Sequence, residues 1–323
     1  MRILVTGAAG FIGSHFVRHI LSDSYPELAG AHVTALDKLT YAGNPENLAE
    51  IAYHPRYAFL HGDICDPHTV TEALRGIDLV VHFAAESHVD RSIADSAAFI
   101  TTNVLGTHIL LQSALDTGVS RFVHVSTDEV YGSIAEGARA EDHPLDPNSP
   151  YAASKASSDL LALAFHRTHG LDVRVTRCSN NYGPYQHPEK VIPLFVTNLL
   201  EGLRLPVYGD GLHRRDWLHV DDHCRAIAAV GSRGRAGEVY NIGGGTELSN
   251  VGLTHHILDI FDADWSVVEQ IQDRAGHDRR YSVDTRKIRE ELGWAPRISF
   301  ASGLAETVAW YRENGSWWKT LKA

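Results

Sequence analysis

Thr6-Gly7-Ala8-Ala9-Gly10-Phe11-Ile12-Gly13 is the stretch that decides the fold. It joins a short apolar run, residues 2–6, to a helix-patterned stretch, residues 12–21. Gly7 permits the tight turn, Gly10 lets a pyrophosphate approach the backbone, and Gly13 lets the helix pack close to the sheet. The N-terminus of that helix then offers free N–H groups and a positive dipole end to phosphate. A glycine trio alone is also compatible with an ordinary turn, so the context matters. A second apolar run, residues 32–36, ends in Asp37, 24 residues beyond Gly13. A carboxylate there accepts hydrogen bonds from an adenosine ribose diol and repels a 2′-phosphate, which favours NAD over NADP. Asp63 and Ile64, at the end of a third strand pattern, are placed to flank the adenine.

Outward from this loop, strand and helix patterns alternate. Residues 57–60, 79–83, 122–125 and 173–176 read as strands, and 66–75, 97–117 and 150–169 as helices. Ser149-Pro150 supplies an N-cap and a first-turn proline, and Gly170 a stop. Such alternation predicts an α/β fold, a Rossmann-type doubly wound parallel sheet. After Arg177 the pattern changes to short strands, such as 206–208 and 239–242, mixed with helices near 192–201, 222–230, 249–260 and 304–312. The division expected is an NAD-binding part over 1–178 and a smaller α/β C-terminal substrate lobe over 179–323, with a soft boundary that segments can cross back.

The 323 residues are 44% hydrophobic and 21% charged, a composition that fits a globular chain with a substantial core. Asp and Glu outnumber Lys and Arg by 40 to 29, giving a net charge of −11. That balance disfavours nucleic acid and anionic membrane as partners and leaves room for a local basic pocket. No stretch reads as a targeting or spanning segment, since glycines interrupt residues 1–13 and the longest apolar run is near 79–85. Three cysteines, Cys65, Cys178 and Cys224, cannot all pair and point to a cytoplasmic chain with reduced thiols. The 20 histidines show no dense metal-ligand spacing, so no metal is expected.

Tyr151-Ala152-Ala153-Ser154-Lys155 sets a phenol and an ammonium four residues apart on one helical face. The ammonium is expected to favour the phenolate, making Tyr151 a base toward a substrate hydroxyl while a nicotinamide takes the hydride. Thr127-Asp128-Glu129 follows the strand pattern 122–125 directly, at a carboxyl end of the sheet where ligands bind in open α/β folds. Adjacent acids at a strand tip are equally compatible with solvated caps. Beside a cofactor and a tyrosine they form a second acid–base pair.

TGAAGFIG, HFAAESHVDRS, VSTDEVYG, YAASK, SNNYGPYQHPEKVIPLF and RDWLHVDDH together resemble the dTDP-glucose 4,6-dehydratase family of extended short-chain dehydrogenases/reductases. The resemblance spans nearly the whole chain, and the Thr-Asp-Glu triplet is its most specific part. Similar epimerases carry a small hydroxyl residue there without the acid pair. The short stretch between Gly132 and Tyr151 resembles actinomycete members from natural-product deoxysugar pathways. His187 stands where many members carry an aromatic residue.

The resemblance implies oxidation at C4 of dTDP-glucose, elimination of water across C5–C6, and hydride return to C6. Tyr151 removes the C4 hydroxyl proton, Thr127 orients that hydroxyl, and Lys155 holds Tyr151 and the nicotinamide ribose. Glu129 removes the C5 proton, and protonated Asp128 gives its proton to the departing C6 hydroxyl. It further implies cofactor contacts at Phe11, Ile12, Lys38, Thr40, Phe83, Ala84, Ala85, Thr102 and Asn181. Substrate contacts are implied at Ser87, Asn180, Glu189, Lys190, Pro206, Tyr208, Asn250, His277 and Tyr311, with Arg215 and Arg274 as a bidentate phosphate clamp. Trp310, Trp317 and Trp318 point to lobe packing more than to base stacking. A homodimer through 97–117 and 156–169 is the family expectation, although those apolar faces also fit ordinary core. A same-fold epimerase or decarboxylase and a silent NAD-binding protein are the competing readings. The acid pair opposes the first, and the presence of all five of Thr127, Asp128, Glu129, Tyr151 and Lys155 opposes the second.

Overall fold

A computed structural model describes residues 1–322. Its strands in chain order are β1 (Arg2–Thr6), β2 (His32–Asp37), β3 (Tyr57–His61), β4 (Leu79–His82), β5 (Arg121–Thr127), β6 (Val173–Cys178), β7 (Asn180–Tyr182), β8 (Leu205–Tyr208), β9 (Arg214–His219), β10 (Val239–Ile242), β11 (Glu247–Ser249) and β12 (Val268–Ile271). Seven of them form one sheet in the order β3-β2-β1-β4-β5-β6-β10. Every pairing in it is parallel, so the fold is the doubly wound α/β architecture that the alternation predicted. The strand order reverses between β1 and β4, and the glycine loop leaves β1 at that crevice.

The two faces of the sheet bury separate apolar clusters. Ile3, Val5, Phe16 and Ile227 lie in one, and Leu4, Val80, Phe122 and Leu163 in the other. Successive β1 residues thus point to opposite faces, both covered by helices, which is why its sequence is apolar throughout. A third cluster, around Tyr182, Phe195, Trp217, Leu253 and Leu304, forms the core of the smaller lobe. That lobe carries the three-stranded β7-β9-β11 sheet and the β8-β12 pair. The chain does cross back after residue 178, because β10 pairs with β6 and the helix Val220–Arg233 packs against β5 and β6. No helix among the described residues is long and apolar enough to span a membrane.

One element differs from its sequence expectation in a way that matters for the site. The helix expected over 97–117 starts with a short α-turn at Ser96–Phe99, continues through a π-helical segment, Ile100–Gly106, and becomes α-helical again at Thr107–Asp116. Buried Asn103 lies in the widened segment. Its Nδ2 donates to Ser154 Oγ (2.8 Å) and to the Glu86 carbonyl (3.0 Å), and its Oδ1 accepts from the Glu86 amide (2.8 Å). The π segment therefore clamps the loop after β4 to the helix that begins at Pro150. A local widening of this kind is common where a helix meets a functional site.

Candidate active site

The carboxyl ends of β1, β2, β4, β5 and β6 open into a cleft of about 320 Å³. At its floor Gly7 has φ +67°, and a Cβ there would sit 2.6 Å from the Ala84 amide nitrogen. A Cβ at Gly13 would lie 2.2 Å from the Gly7 carbonyl oxygen, so only glycine lets helix and loop pack this closely. The helix Phe11–Leu21 starts at Gly10 with no side-chain cap, which leaves first-turn N–H groups to a ligand. Asp37 closes the far end. Its two oxygens accept from the Ala9 amide (2.8 Å) and the Leu39 amide (2.8 Å), and each keeps a lone pair for a diol. Lys38 and Asp63 form a 2.7 Å ion pair beside it.

The same cleft receives the chemistry-bearing side chains. Ser149 caps the helix Pro150–His169 by accepting from the Ala152 amide (3.1 Å), which fixes Tyr151 in its first turn. Lys155, one turn on, is buried, and its Nζ donates to the Val125 carbonyl (2.8 Å). Burial lowers the ammonium to about 8. The phenol of Tyr151 is pushed well above its ordinary value, first by burial and then by the Glu129 carboxylate, with a hydrogen bond to Thr127 opposing. The expected phenolate is therefore not favoured by the chain alone, since burial and the Glu129 carboxylate raise the phenol while the Lys155 ammonium is committed to a backbone carbonyl.

β5 ends at Thr127, and Asp128 and Glu129 turn back in a single 3₁₀ turn whose amide at Glu129 donates to Thr127 Oγ1 (3.2 Å). Asp128 is 2% exposed, and its Oδ2 has no partner in the protein. Burial, then the charge of Glu129, lifts the Asp128 carboxyl well above the carboxylate range. Burial raises Glu129 too, and Arg215 and Lys190 offset only part of that rise. Two adjacent buried carboxyls with unequal cation support favour one neutral acid beside one carboxylate.

A second cavity of about 210 Å³ adjoins the first and shares Ser87, Glu129, Asn180, Glu189 and Lys190 with it. Its walls carry Pro206, Tyr208, Arg215, Asn250, Arg274 and His277. The Arg274 guanidinium lies 4.6 Å over the Tyr208 ring and that of Arg215 lies 4.3 Å over Tyr281. Lys190 donates to the Ser87 carbonyl (3.1 Å). Arg215 and Arg274 thus line the outer cavity, Arg274 paired with Asp90 (3.3 Å), and Glu129, Glu189 and Lys190 stand at the junction, an arrangement that suits a diphosphate with a reacting sugar.

The family model of the GDP-mannose 4,6 dehydratases matches residues 4–307. The dTDP-glucose 4,6-dehydratase of Streptomyces niveus is 61% identical over 323 residues, which are 100% of this chain and 96% of that protein. The chain belongs to the dTDP-glucose 4,6-dehydratase family. The dTDP-glucose 4,6-dehydratase DesIV from Streptomyces venezuelae, solved with NAD bound, superposes with a TM-score of 0.98 at 64% identity, over 99% of this chain and 100% of that one. The UDP-glucuronic acid 4-epimerase of Bacillus cereus, also solved with NAD, still reaches 0.90 at 29% identity, over 97% and 99%. The backbone therefore does not separate dehydratases from epimerases.

Against the pattern that the dTDP-glucose 4,6-dehydratase resemblance implied, nearly every named residue lines one of the two cavities. These include Gly7, Gly10, Phe11, Ile12, Gly13, Lys38, Thr40, Asp63, Ile64, Phe83, Ala84, Ala85, Thr102 and Asn181. Tyr311 does not. It is fully buried in the apolar cluster of the smaller lobe, and its hydroxyl donates to the Gln186 carbonyl, so it reaches neither cavity. Gln186, Asp278 and Tyr281 also face the cavities and were missed. The first lies inside the quoted YGPYQHPEK run, and the others follow Arg274 in a run of charged residues, so proximity to a recognised motif was the available signal. Two histidine–aspartate groups, His15–His19–Asp221 and His213–Asp273–His277, bring potential ligand atoms together. Their ring pairs stack within 16° and 13° of parallel, at 3.9 and 3.7 Å. In-plane lone pairs of parallel rings do not converge on one ion.

Proposed function

We propose that this chain dehydrates dTDP-glucose to dTDP-4-keto-6-deoxyglucose, and the observation that carries the reading is the Asp128–Glu129 pair facing the same cleft as Tyr151 and Lys155. The glycine loop, the Phe11–Leu21 helix start and Asp37 fit NAD, because no side chain caps the first-turn amides and the closely packed loop at Gly7 and Gly13 has no room for a Cβ. When bound, NAD supplies the acceptor for the C4 hydride and its donor to C6. Tyr151 takes the C4 hydroxyl proton, with Thr127 orienting the hydroxyl and Lys155 anchoring the ribose. The C4 ketone acidifies C5–H. Glu129 removes that proton, Asp128 delivers its own to the C6 oxygen, which leaves as water, and Glu129 returns a proton to C5 as hydride is added at C6. Arg215, Arg274 and Lys190 hold the diphosphate, and Ser87, Asn180 and Glu189 surround the sugar where the cavities join.

In this reading residues 1–178 hold the cofactor and 179–323 the sugar nucleotide, apart from the segment that returns as β10. The natural-product setting rests on the Streptomyces relatives. Three free thiols fit a cytoplasmic enzyme. A homodimer is supported by Ile100, Leu105 and Leu160, large apolar residues left exposed on the expected helices. Sedimentation at the mass of one chain would remove that part of the reading.

The cofactor reading has a direct test. The purified protein should release NAD(H) on denaturation and convert dTDP-glucose to a keto sugar with no stoichiometric use of added NAD. Net NAD consumption per turnover, or product that keeps its C6 hydroxyl, would overturn it.

A further inference from the structure

The C-terminal helix Gly315–Lys322 belongs to the smaller lobe, yet it reaches the dinucleotide cleft. Trp318 Nε1 donates to the Tyr311 carbonyl (2.8 Å) and Lys322 Nζ to Asn198 Oδ1 (2.8 Å), so one side of the helix is tied into that lobe. From the other side, Trp317 and Leu321 line the cleft together with Gly7, Gly10 and Asp37. Trp317 Nε1 donates to Asn47 Oδ1 (2.9 Å), a contact across 270 residues of sequence. Asn47 is 3% exposed, and its Nδ2 donates to the carbonyl of Ala9 inside the glycine loop (2.9 Å). The Asn44 amide donates to the same carbonyl (3.0 Å), and the Ala9 amide donates to Asp37 (2.8 Å).

A second set of contacts braces the first. Arg18, on the helix that leaves the glycine loop, donates to the Asn47 carbonyl (2.5 Å) and lies 4.2 Å over the Tyr185 ring. Tyr185 packs on Trp310 (4.5 Å) and Trp317 (5.7 Å), and its hydroxyl donates to Glu50 (2.8 Å). Its backbone holds φ +66°, a left-handed conformation that a bulky residue keeps only where its surroundings fix it.

We propose that Trp317 and Asn47 are positioning residues for the dinucleotide, forming a latch from the smaller lobe to the glycine loop that slows release of NAD. The proposal rests on the dehydratase reading of the cleft. A glycine-rich loop has many accessible conformations, and its amides present to phosphate only while it is held. The indole–Asn47–Ala9–Asp37 chain holds the loop and the ribose acceptor in one hydrogen-bonded unit. Without the indole, Asn47 Oδ1 is left buried and unpaired, which frees the side chain to turn away from Ala9. Neither Trp317 nor Asn47 lines the outer cavity, so binding of dTDP gives an internal control.

The test measures release of bound NAD(H) after dilution and, separately, dTDP affinity by calorimetry. Trp317→Ala should release NAD(H) roughly 10–100-fold faster through loss of both packing and hydrogen bond. Trp317→Phe keeps a ring and loses the N–H, and should release it about 2–10-fold faster. Both should bind dTDP like the unmodified protein. Wild-type release from Trp317→Ala overturns the latch. If Trp317→Ala loses dTDP binding as well, Trp317→Phe decides, and wild-type release there overturns the latch. Absence of NAD from the unmodified protein would instead overturn the functional reading, and the latch with it.

Discussion

Asp128→Asn should lower the dehydration rate by roughly 10²–10⁴-fold, the usual worth of a positioned general acid, while nucleotide binding and C4 oxidation persist. Asparagine nearly keeps the shape but cannot release a proton to the C6 oxygen. Tyr151→Phe should instead stop the sequence before oxidation, so no C4 ketone accumulates. The pH profile carries a second signature. Glu129 must be ionised and Asp128 neutral, and burial raises both. Activity therefore rises with pH as Glu129 loses its proton, above the ordinary glutamate range, and falls at higher pH as Asp128 loses its own. The Asp128→Asn variant should lose the alkaline limb that belongs to Asp128. Stopped-flow absorbance for the oxidation and product analysis for the dehydration separate the two steps. Dehydration by Asp128→Asn at the wild-type rate would show that another group protonates the leaving oxygen.

The placement of these residues in one cleft was legible in the sequence because they sit close together on regular elements. Gly7, Gly10 and Gly13 fall at one strand–helix junction, and Tyr151 and Lys155 share a helix face by spacing alone. Asp128 and Glu129 follow a strand end directly, so their place at the edge of the sheet needed only the strand to be recognised. What spacing did not convey is desolvation. Tyr151 and Lys155 are both buried, and the phenol responds to burial and to Glu129 more than to its ammonium neighbour. The widened turn at Ile100–Gly106 was also hidden, since its cause is Asn103 bonding to Glu86 and Ser154, partners 17 and 51 residues away. Long-range pairing explains the remaining differences. Tyr311 matches a binding pattern but is drawn into the lobe core by Gln186. The three tryptophans were expected to serve packing, and Trp318 does, yet Trp317 also bonds to Asn47, which no local pattern connects to it.

Glu129→Gln should abolish the proton traffic at C5 while leaving Asp128 in place. In D₂O the unmodified protein should give product carrying solvent deuterium at C5, because the carboxylate that removes the C5 proton exchanges it with solvent. Glutamine cannot accept that proton, so product formation should fall by roughly 10²–10⁴-fold, with C5 exchange falling alongside it. Asp128→Asn makes the complementary case, since its ketone still has acidic C5–H next to an ionised Glu129. Exchange at C5 should therefore continue there while water loss is slow. Mass spectrometry of recovered sugar nucleotide distinguishes the two variants. If Glu129→Gln exchanges C5 at the wild-type rate and Asp128→Asn does not, the two acids have exchanged roles, and the cation support of Glu129 by Arg215 and Lys190 does not decide which carboxyl is ionised. The expected pattern ties the reaction to that electrostatic asymmetry: Glu129 feels Arg215, Lys190 and Arg274, whereas Asp128 feels Arg215 alone among the cations and carries the added charge of Glu129 and Asp216.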